Sequence, residues 1–240
     1  MLQHAVRIRK KNPLFNGVTE QVREKAVELM SGESTFLSAG GQRDDWFFSG
    51  IESIPHISMY KNGKMEMVDD ERVFPIPGRY LHEVPVLPIF DVLTEGHSTY
   101  RTEDGAEKGW IPMLREKGAV ITDVLVVANR WQGGEKVISD LGINVHSLVN
   151  VDKLFLRRFS PNAERDVKYH QNPSEWSVEY LREHGAMALL PQMNAADGRA
   201  KRFLQRYDYI LSLASQRYIF DHAVQQEYGK SLDNIMEGNK

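Results

Sequence analysis

Between residues 84 and 154 apolar, β-capable runs take turns with helical stretches, and this alternation restricts how the chain can fold more than any other feature it has. Strands separated by helices lie parallel in one sheet, because each helix must return over a face of the sheet before the next strand can begin. The runs are residues 84–91, 120–128 and 145–149, with helices expected near 107–117 and 133–141 and a short one from Asp152. The predicted class is therefore α/β, a parallel sheet with flanking helices. Pro85 and Pro88 fall in the first run. Neither can donate to a ladder, which predicts an edge position or a bulge for that strand.

Upstream, VTEQVREKAVELM at 18–30 sets Val18, Val22, Ala26 and Leu29 on one helical face, and Ser31-Gly32 stops it. Short β-like runs are expected at 35–38 and 45–48. Two more, at 57–60 and 65–68, flank Lys61-Asn62-Gly63-Lys64, and an Asn-Gly pair in that position signals a hairpin. Past Phe159 the texture changes. Residues 160–173 read as a polar loop, while 174–184 and 197–228 read as helices, with Phe203, Tyr207, Ile210, Leu211 and Ala214 spaced as one buried stripe. Two parts follow: an α/β domain at 1–159 and a mainly helical C-terminal extension at 160–240.

The chain has no Cys, which excludes disulfides, thiolate-bound metal and thiol nucleophiles and fits a reducing compartment. No apolar stretch approaches the roughly 20 residues that a membrane helix needs. Arg7, Arg9, Lys10 and Lys11 have no apolar core after them, unlike a secretory signal, so a cytoplasmic location without membrane contact is expected. The net charge of −3 gives no general attraction to nucleic acid. Arg199, Arg202 and Arg206 form a stripe that reads as a solvated helix face, and the appendage reads as a packing or homo-oligomer element. No His pairs with a carboxylate at a metal-binding interval.

The segment Val86-Leu-Pro-Ile-Phe-Asp-Val-Leu-Thr-Glu-Gly-His-Ser-Thr99 resembles the phosphoribosyl-diphosphate signature of the type I phosphoribosyltransferases. There a buried strand ends in acidic residues, and a Thr/Gly-rich turn leads into a helix. Backbone N–H groups and hydroxyls of such a turn hold a phosphate, and the strand-end carboxylates hold ribose hydroxyls. The resemblance implies phosphoribosyl contacts from Asp91, Thr94, Glu95, Gly96, His97, Ser98 and Thr99. Residues 115–134, with Arg130-Trp-Gln-Gly-Gly134, and residues 141–154 are similar to the closing strand, Arg-x-x-Gly-Gly turn and last strand of the orotate branch. Phe36-Leu-Ser-Ala-Gly-Gly-Gln-Arg-Asp-Asp-Trp-Phe-Phe48 resembles that enzyme's hood, a hairpin ending in paired aromatics. On this likeness Phe47 and Phe48 wall a base site, Thr94 lies below the base, and Arg130 faces an orotate carboxylate.

Departures accompany the likeness. Phe90 replaces the first of the paired acids, and Ala39 stands where the hood offers a Lys. Only residues 51–83 are available for the diphosphate loop and the mobile catalytic hairpin, scarcely the roughly 30 residues of one βαβ unit. The 5-phosphate turn is thus kept while the leaving diphosphate has no visible cradle. Ribose 5-phosphate and phosphoribosyl diphosphate are expected to bind alike, with Mg2+ entering only beside a diphosphate. Three readings follow: a phosphoribosyl- or nucleotide-binding protein without turnover, an active orotate-type transferase moving a pentosyl group, and a structural protein with an empty site.

Overall fold

The computed structural model describes residues 7–30, 36–39, 46–48, 54–60, 62–69, 72–172, 199–206 and 214–237. The Ser31-Gly32 helix stop, residues 40–45 of the expected hood, Lys61, the helix at 174–184 and the stripe residues Tyr207, Ile210 and Leu211 lie outside them, as do the side chains of Phe203 and Ala214. The chain divides into two units, Met1–Pro161 and Asn162–Lys240.

The first unit is built on one seven-stranded sheet. Its strands are β1 (Phe36–Ala39), β2 (His56–Met59), β3 (Met65–Asp69), β4 (Arg72–Pro75), β5 (Val86–Leu93), β8 (Asp123–Asn129) and β9 (Asn144–Asn150), in the spatial order β4-β3-β2-β1-β5-β8-β9. A separate two-stranded hairpin, β6 (Arg101–Glu103) and β7 (Ala106–Lys108), follows β5. From β2 to β9 all neighbours run parallel, and β3 and β4 add an antiparallel meander at one side. The expected hairpin around Asn62-Gly63 is present: Gly63 takes φ 86° and Tyr60 N–H donates to Lys64 O at 2.9 Å.

Alternate residues of the strands feed two cores. Val86 and Phe90 of β5 and Val124 and Val126 of β8 pack with Ile111 and Leu114 of α2 (Trp110–Glu116) and Ile138 of α3 (Gly134–Ser139). Leu87, Ile89 and Leu125 join Leu37 and Ala39 against Val22 and Ala26 of α1 (Pro13–Leu29). Helix α1 starts earlier than the sequence pattern predicts because the Asn12 side chain caps it by accepting from Phe15 N–H, with Pro13 following. Thr19 lies on its buried face, and Val18 is 38% exposed.

The expected edge position of the proline-bearing strand is corrected, and the bulge is found instead. β5 lies in the middle of the sheet between β1 and β8. Pro85 faces Val120 whereas Ile89 faces Leu125, so four residues along β5 match five along its partner. A strand residue points its N–H and C=O toward the same neighbour. Val86 N–H meets Val120 O at 2.9 Å, so Pro88, two residues on, turns its missing donor toward this slip in the ladder. Pro85 gives its C=O to Phe36 N–H at 3.0 Å, placing its missing donor ahead of the first rung with β1. The extra residue absorbs what an edge would otherwise have to provide.

Two other expectations change. The run at 45–48 is no strand: Trp46, Phe47 and Phe48 form a single helical turn, and β1 pairs in parallel with β2 and β5 rather than with them. The helix expected from residue 107 begins at Trp110, since Glu107 and Lys108 belong to β7. After β9, Asp152 caps α4 (Lys153–Phe159) by accepting from Phe155 N–H at 2.8 Å.

The second unit is helical where described. The stretch read as a loop contains α5 (Ala163–Gln171), with Glu164 and Asp166 in its first turn, Lys168 and His170 in its last, and only Val167 buried. Charges placed this way suit the helix dipole and leave little apolar periodicity to read. Further on, α6 (Arg199–Arg206), α7 (Ala214–Tyr228) and α8 (Leu232–Glu237) share a core of Ala200, Leu204, Phe220, Val224 and Leu232. Asp221 fastens α8 by accepting from Leu232 N–H at 2.7 Å.

Candidate functional site

The strand order places β1 and β5 side by side, with the next strand after β1 lying to one side and the next large strand after β5 to the other. Such a reversal opens a crevice at the C-terminal strand ends. The turn after β5 stands there. Gly96 takes φ 81°, and its carbonyl accepts from Thr99 N–H at 2.9 Å and Tyr100 N–H at 2.8 Å. Four consecutive amides, those of Glu95, Gly96, His97 and Ser98, meet no acceptor among the described residues.

The turn after β8 locks against it. Arg130 N–H donates to Leu93 O at 2.9 Å and Gly134 N–H to Thr94 O at 2.8 Å. The contact requires glycine on both sides. A Cβ on Gly96 would lie 3.1 Å from Gly134 Cα, and one on Gly134 would lie 2.6 Å from Thr94 O and 2.8 Å from both Gly96 N and Leu93 Cδ1. The expected neighbours, Thr94 to Thr99 and Arg130, therefore share one junction. Thr94 and Arg130 are half-buried, Thr99 is buried, and Glu95, His97 and Ser98 are exposed. His97 Nδ1 lies 3.7 Å from Glu95 Oε2. Asp91 is half-buried, and its carboxylate accepts from Val92 N–H at 2.6 Å.

Phe47 and Phe48 are corrected. Both are completely buried, in the core under α1, with Phe48 stacked on His56 at 4.0 Å and Phe47 against Trp46 at 4.1 Å. Neither ring has a face open to a base, so both leave the candidate site. Phe90 is buried in the opposite core, where a carboxylate would be costly without a partner; a single strand-end acid, Asp91, remains.

The turn does not run directly into a helix as expected. Residues 100–109 intervene as the β6–β7 hairpin, and Trp110 and Ile111 at the start of α2 give their amides back to Ser98 O and Thr99 O, both at 3.1 Å. This hairpin brings Arg101 to the turn, with Nη1 donating to His97 O at 3.0 Å. Reading the sequence missed it, although Asp104-Gly105, both at positive φ, marks its tip.

Asn129, also missed, ends β8 almost wholly buried. Its Oδ1 accepts from Trp131 N–H at 3.0 Å and its Nδ2 donates to Glu135 at 2.9 Å, holding Trp131 at φ 53°, a left-handed conformation costly for a bulky residue. Asn129→Ala is expected to cost about 2 kcal/mol, from lost bonds and a backbone left strained, measured by urea unfolding; an unchanged midpoint would show that the turn holds itself. Among the described residues there is no group of three or more His, Asp or Glu able to hold a metal, and no helix long and apolar enough to cross a membrane.

No family model matches the chain. Among curated proteins it is similar to orotate phosphoribosyltransferase of Thermoplasma volcanium, 34% identical over 79 residues, 33% of this chain and 43% of that protein. It is also similar to xanthine phosphoribosyltransferase 1 of Clostridium perfringens, 37% identical over 70 residues, 29% of this chain and 33% of that protein. The matched region thus spans less than half the length of these relatives. Among solved structures, UMP synthase of Leishmania donovani aligns with TM-score 0.45 and 18% identity over 68% of this chain and 34% of that one. Orotate phosphoribosyltransferase of Francisella tularensis aligns with TM-score 0.43 and 14% identity over 70% of this chain and 78% of that one. The chain thus has an α/β fold with a mostly parallel sheet, flanking helices and a Gly-locked turn after β5, and about a third of it is similar in sequence to phosphoribosyltransferases.

Proposed function

We propose that the chain binds a phosphoribosyl or nucleotide ligand through the turn 94–99, with Asp91 toward the ribose hydroxyls and Arg130 toward the base. The observation that carries this reading is the run of four unengaged amides at Glu95, Gly96, His97 and Ser98 on a turn fixed by Gly134. A run of backbone N–H groups without partners on one turn suits an anion, and hydrogen bonds to a charged acceptor are roughly twice as strong as neutral ones. The relatives named above are phosphoribosyltransferases, which favours a ribose phosphate over other anions. Binding comes before turnover in this reading, because Phe90 removes one carboxylate from the ribose contacts.

Calorimetry with ribose 5-phosphate tests it. Gly96→Val is expected to weaken binding at least about tenfold, since φ 81° disfavours a β-branched residue and the added Cβ meets Gly134. Asp91→Ala should weaken it less. An affinity untouched by Gly96→Val would remove the turn from the site. Consumption of orotate in the presence of phosphoribosyl diphosphate and Mg2+ would make the chain a working transferase.

A further inference from the structure

The turn with four unengaged amides also carries a carboxylate. Glu95 is the one acid from Thr94 to Thr99, and an anion received by the amides of Glu95 to Ser98 must settle beside its like charge, which opposes binding. His97 is the one titratable base on the same stretch. Its Nδ1 lies 3.7 Å from Glu95 Oε2, and both side chains are exposed. The two flank Gly96, whose φ of 81° and close approach to Gly134 fix the backbone between them.

The surrounding charges are already engaged. From the hairpin, Arg101 Nη1 donates to His97 O at 3.0 Å, while Arg101 and Lys108 share Glu103 at 3.3 and 3.1 Å. Glu107 accepts from Tyr100 Oη–H, and Asp91 from Val92 N–H. From α3, which meets Gly96 through Gly134 and Val137, Glu135 is held by Asn129 Nδ2 at 2.9 Å. Arg130 joins the junction through its backbone, donating to Leu93 O. Among the described residues no other charged side chain lies within ion-pair distance of Glu95 or His97. A neutral imidazole therefore leaves the charge of Glu95 uncompensated on the turn, and a protonated one cancels it. Imidazole is the side chain whose charge changes near neutrality, where a phosphate monoester carries nearly two negative charges.

We propose that His97 and Glu95 make the turn a proton-linked anion site: a phosphorylated ligand binds together with a proton from solvent, which the His97 ring takes up. This rests on the reading of the turn given above and adds its regulation by pH. Acidification strengthens binding, because the bound anion stabilises the protonated ring, and by reciprocity the ligand raises the ring's affinity for the proton.

Calorimetry with ribose 5-phosphate compares the full unaltered chain with His97→Gln between pH 8 and pH 6, the range in which imidazole changes charge. Protonation of the ligand and of every other histidine is common to both chains and cancels in the ratio of their affinities. That ratio is expected to rise about fivefold as the pH falls, the low end of ordinary coupling between two sites. Binding heats in two buffers of different ionisation enthalpy should show greater proton uptake by the unaltered chain. Glu95→Gln should bind more tightly at the alkaline end and gain less on acidification. A His97→Gln chain weakened by one factor throughout, or a Glu95→Gln chain no tighter at the alkaline end, would overturn the linkage. If Gly96→Val weakens binding while the ratio stays flat, the linkage alone fails and the turn reading stands. If Gly96→Val changes nothing, or ribose 5-phosphate does not bind, both fail.

Discussion

Gly134→Ala is expected to destabilise the first unit by about 3 kcal/mol and to abolish ribose 5-phosphate binding, although it adds a single methyl group. The added carbon would meet a carbonyl oxygen at 2.6 Å, an amide nitrogen at 2.8 Å and the Leu93 side chain at 2.8 Å. Two of those three atoms are backbone, so no rotamer change relieves the contact, and overpacking of this kind typically costs 1–3 kcal/mol or more. Relief must come from parting the turns after β5 and β8, which also breaks the Gly134 N–H to Thr94 O bond. The same substitution at Gly17, inside α1 with nothing within 4 Å, should be neutral or stabilise by roughly 0.5–1 kcal/mol, because Ala is the better helix former. Urea unfolding of the two variants checks the pair. Equal midpoints and undiminished binding in Gly134→Ala would mean that the junction is loose and that the turn owes its shape to something else.

The parallel sheet was legible because strands covered on both faces are unbroken apolar runs, and Val124, Leu125 and Val126 of β8, all fully buried, form such a run. Pairing was not legible. β1 has four residues, too few for a pattern to name its partner, so reading it with 45–48 as a hood hairpin looked as good as the parallel pairing found. The end of the β6–β7 hairpin was read as the start of a helix because Glu107 and Lys108 are good helix formers and no apolar alternation marks strands that bury almost nothing.

The site divides along the same line. The turn 94–99 is local, so its Gly, Thr and Ser announce it without tertiary information. Whether Phe47 and Phe48 face a ligand or a core depends on α1 packing above them, which no short motif encodes. Arg101 comes to the turn only because the hairpin folds back, and Asp104-Gly105 was the one sign of it.

His56 should make the fold acid-sensitive between pH 6.5 and 4, a window that opens well above the ordinary carboxylate range. It is almost wholly buried in β2 and stacked on Phe48. Burial lowers its pKa from 6.5 to about 4, only partly offset by the contact with Ile54 O. The folded chain therefore holds this ring neutral where the unfolded chain takes up a proton. The neutral ring's contribution is complete above pH 6.5 and is lost as pH falls toward 4, amounting to about 3 kcal/mol, of which about 2 kcal/mol disappears between pH 7 and 5. Asp123 acts in a different window. Burial pushes its carboxyl up, but hydrogen bonds from His146, Thr122 and Asn144 outweigh this and hold it below the usual range, so its contribution is lost only in more acidic solution. Unfolding free energies measured from pH 8 to 4.5 should fall in the unaltered chain and stay nearly level in His56→Phe, which keeps a ring against Phe48 and removes the titrating group. A parallel fall in both chains would assign the acid sensitivity to other groups and show that His56 is protonated in the fold.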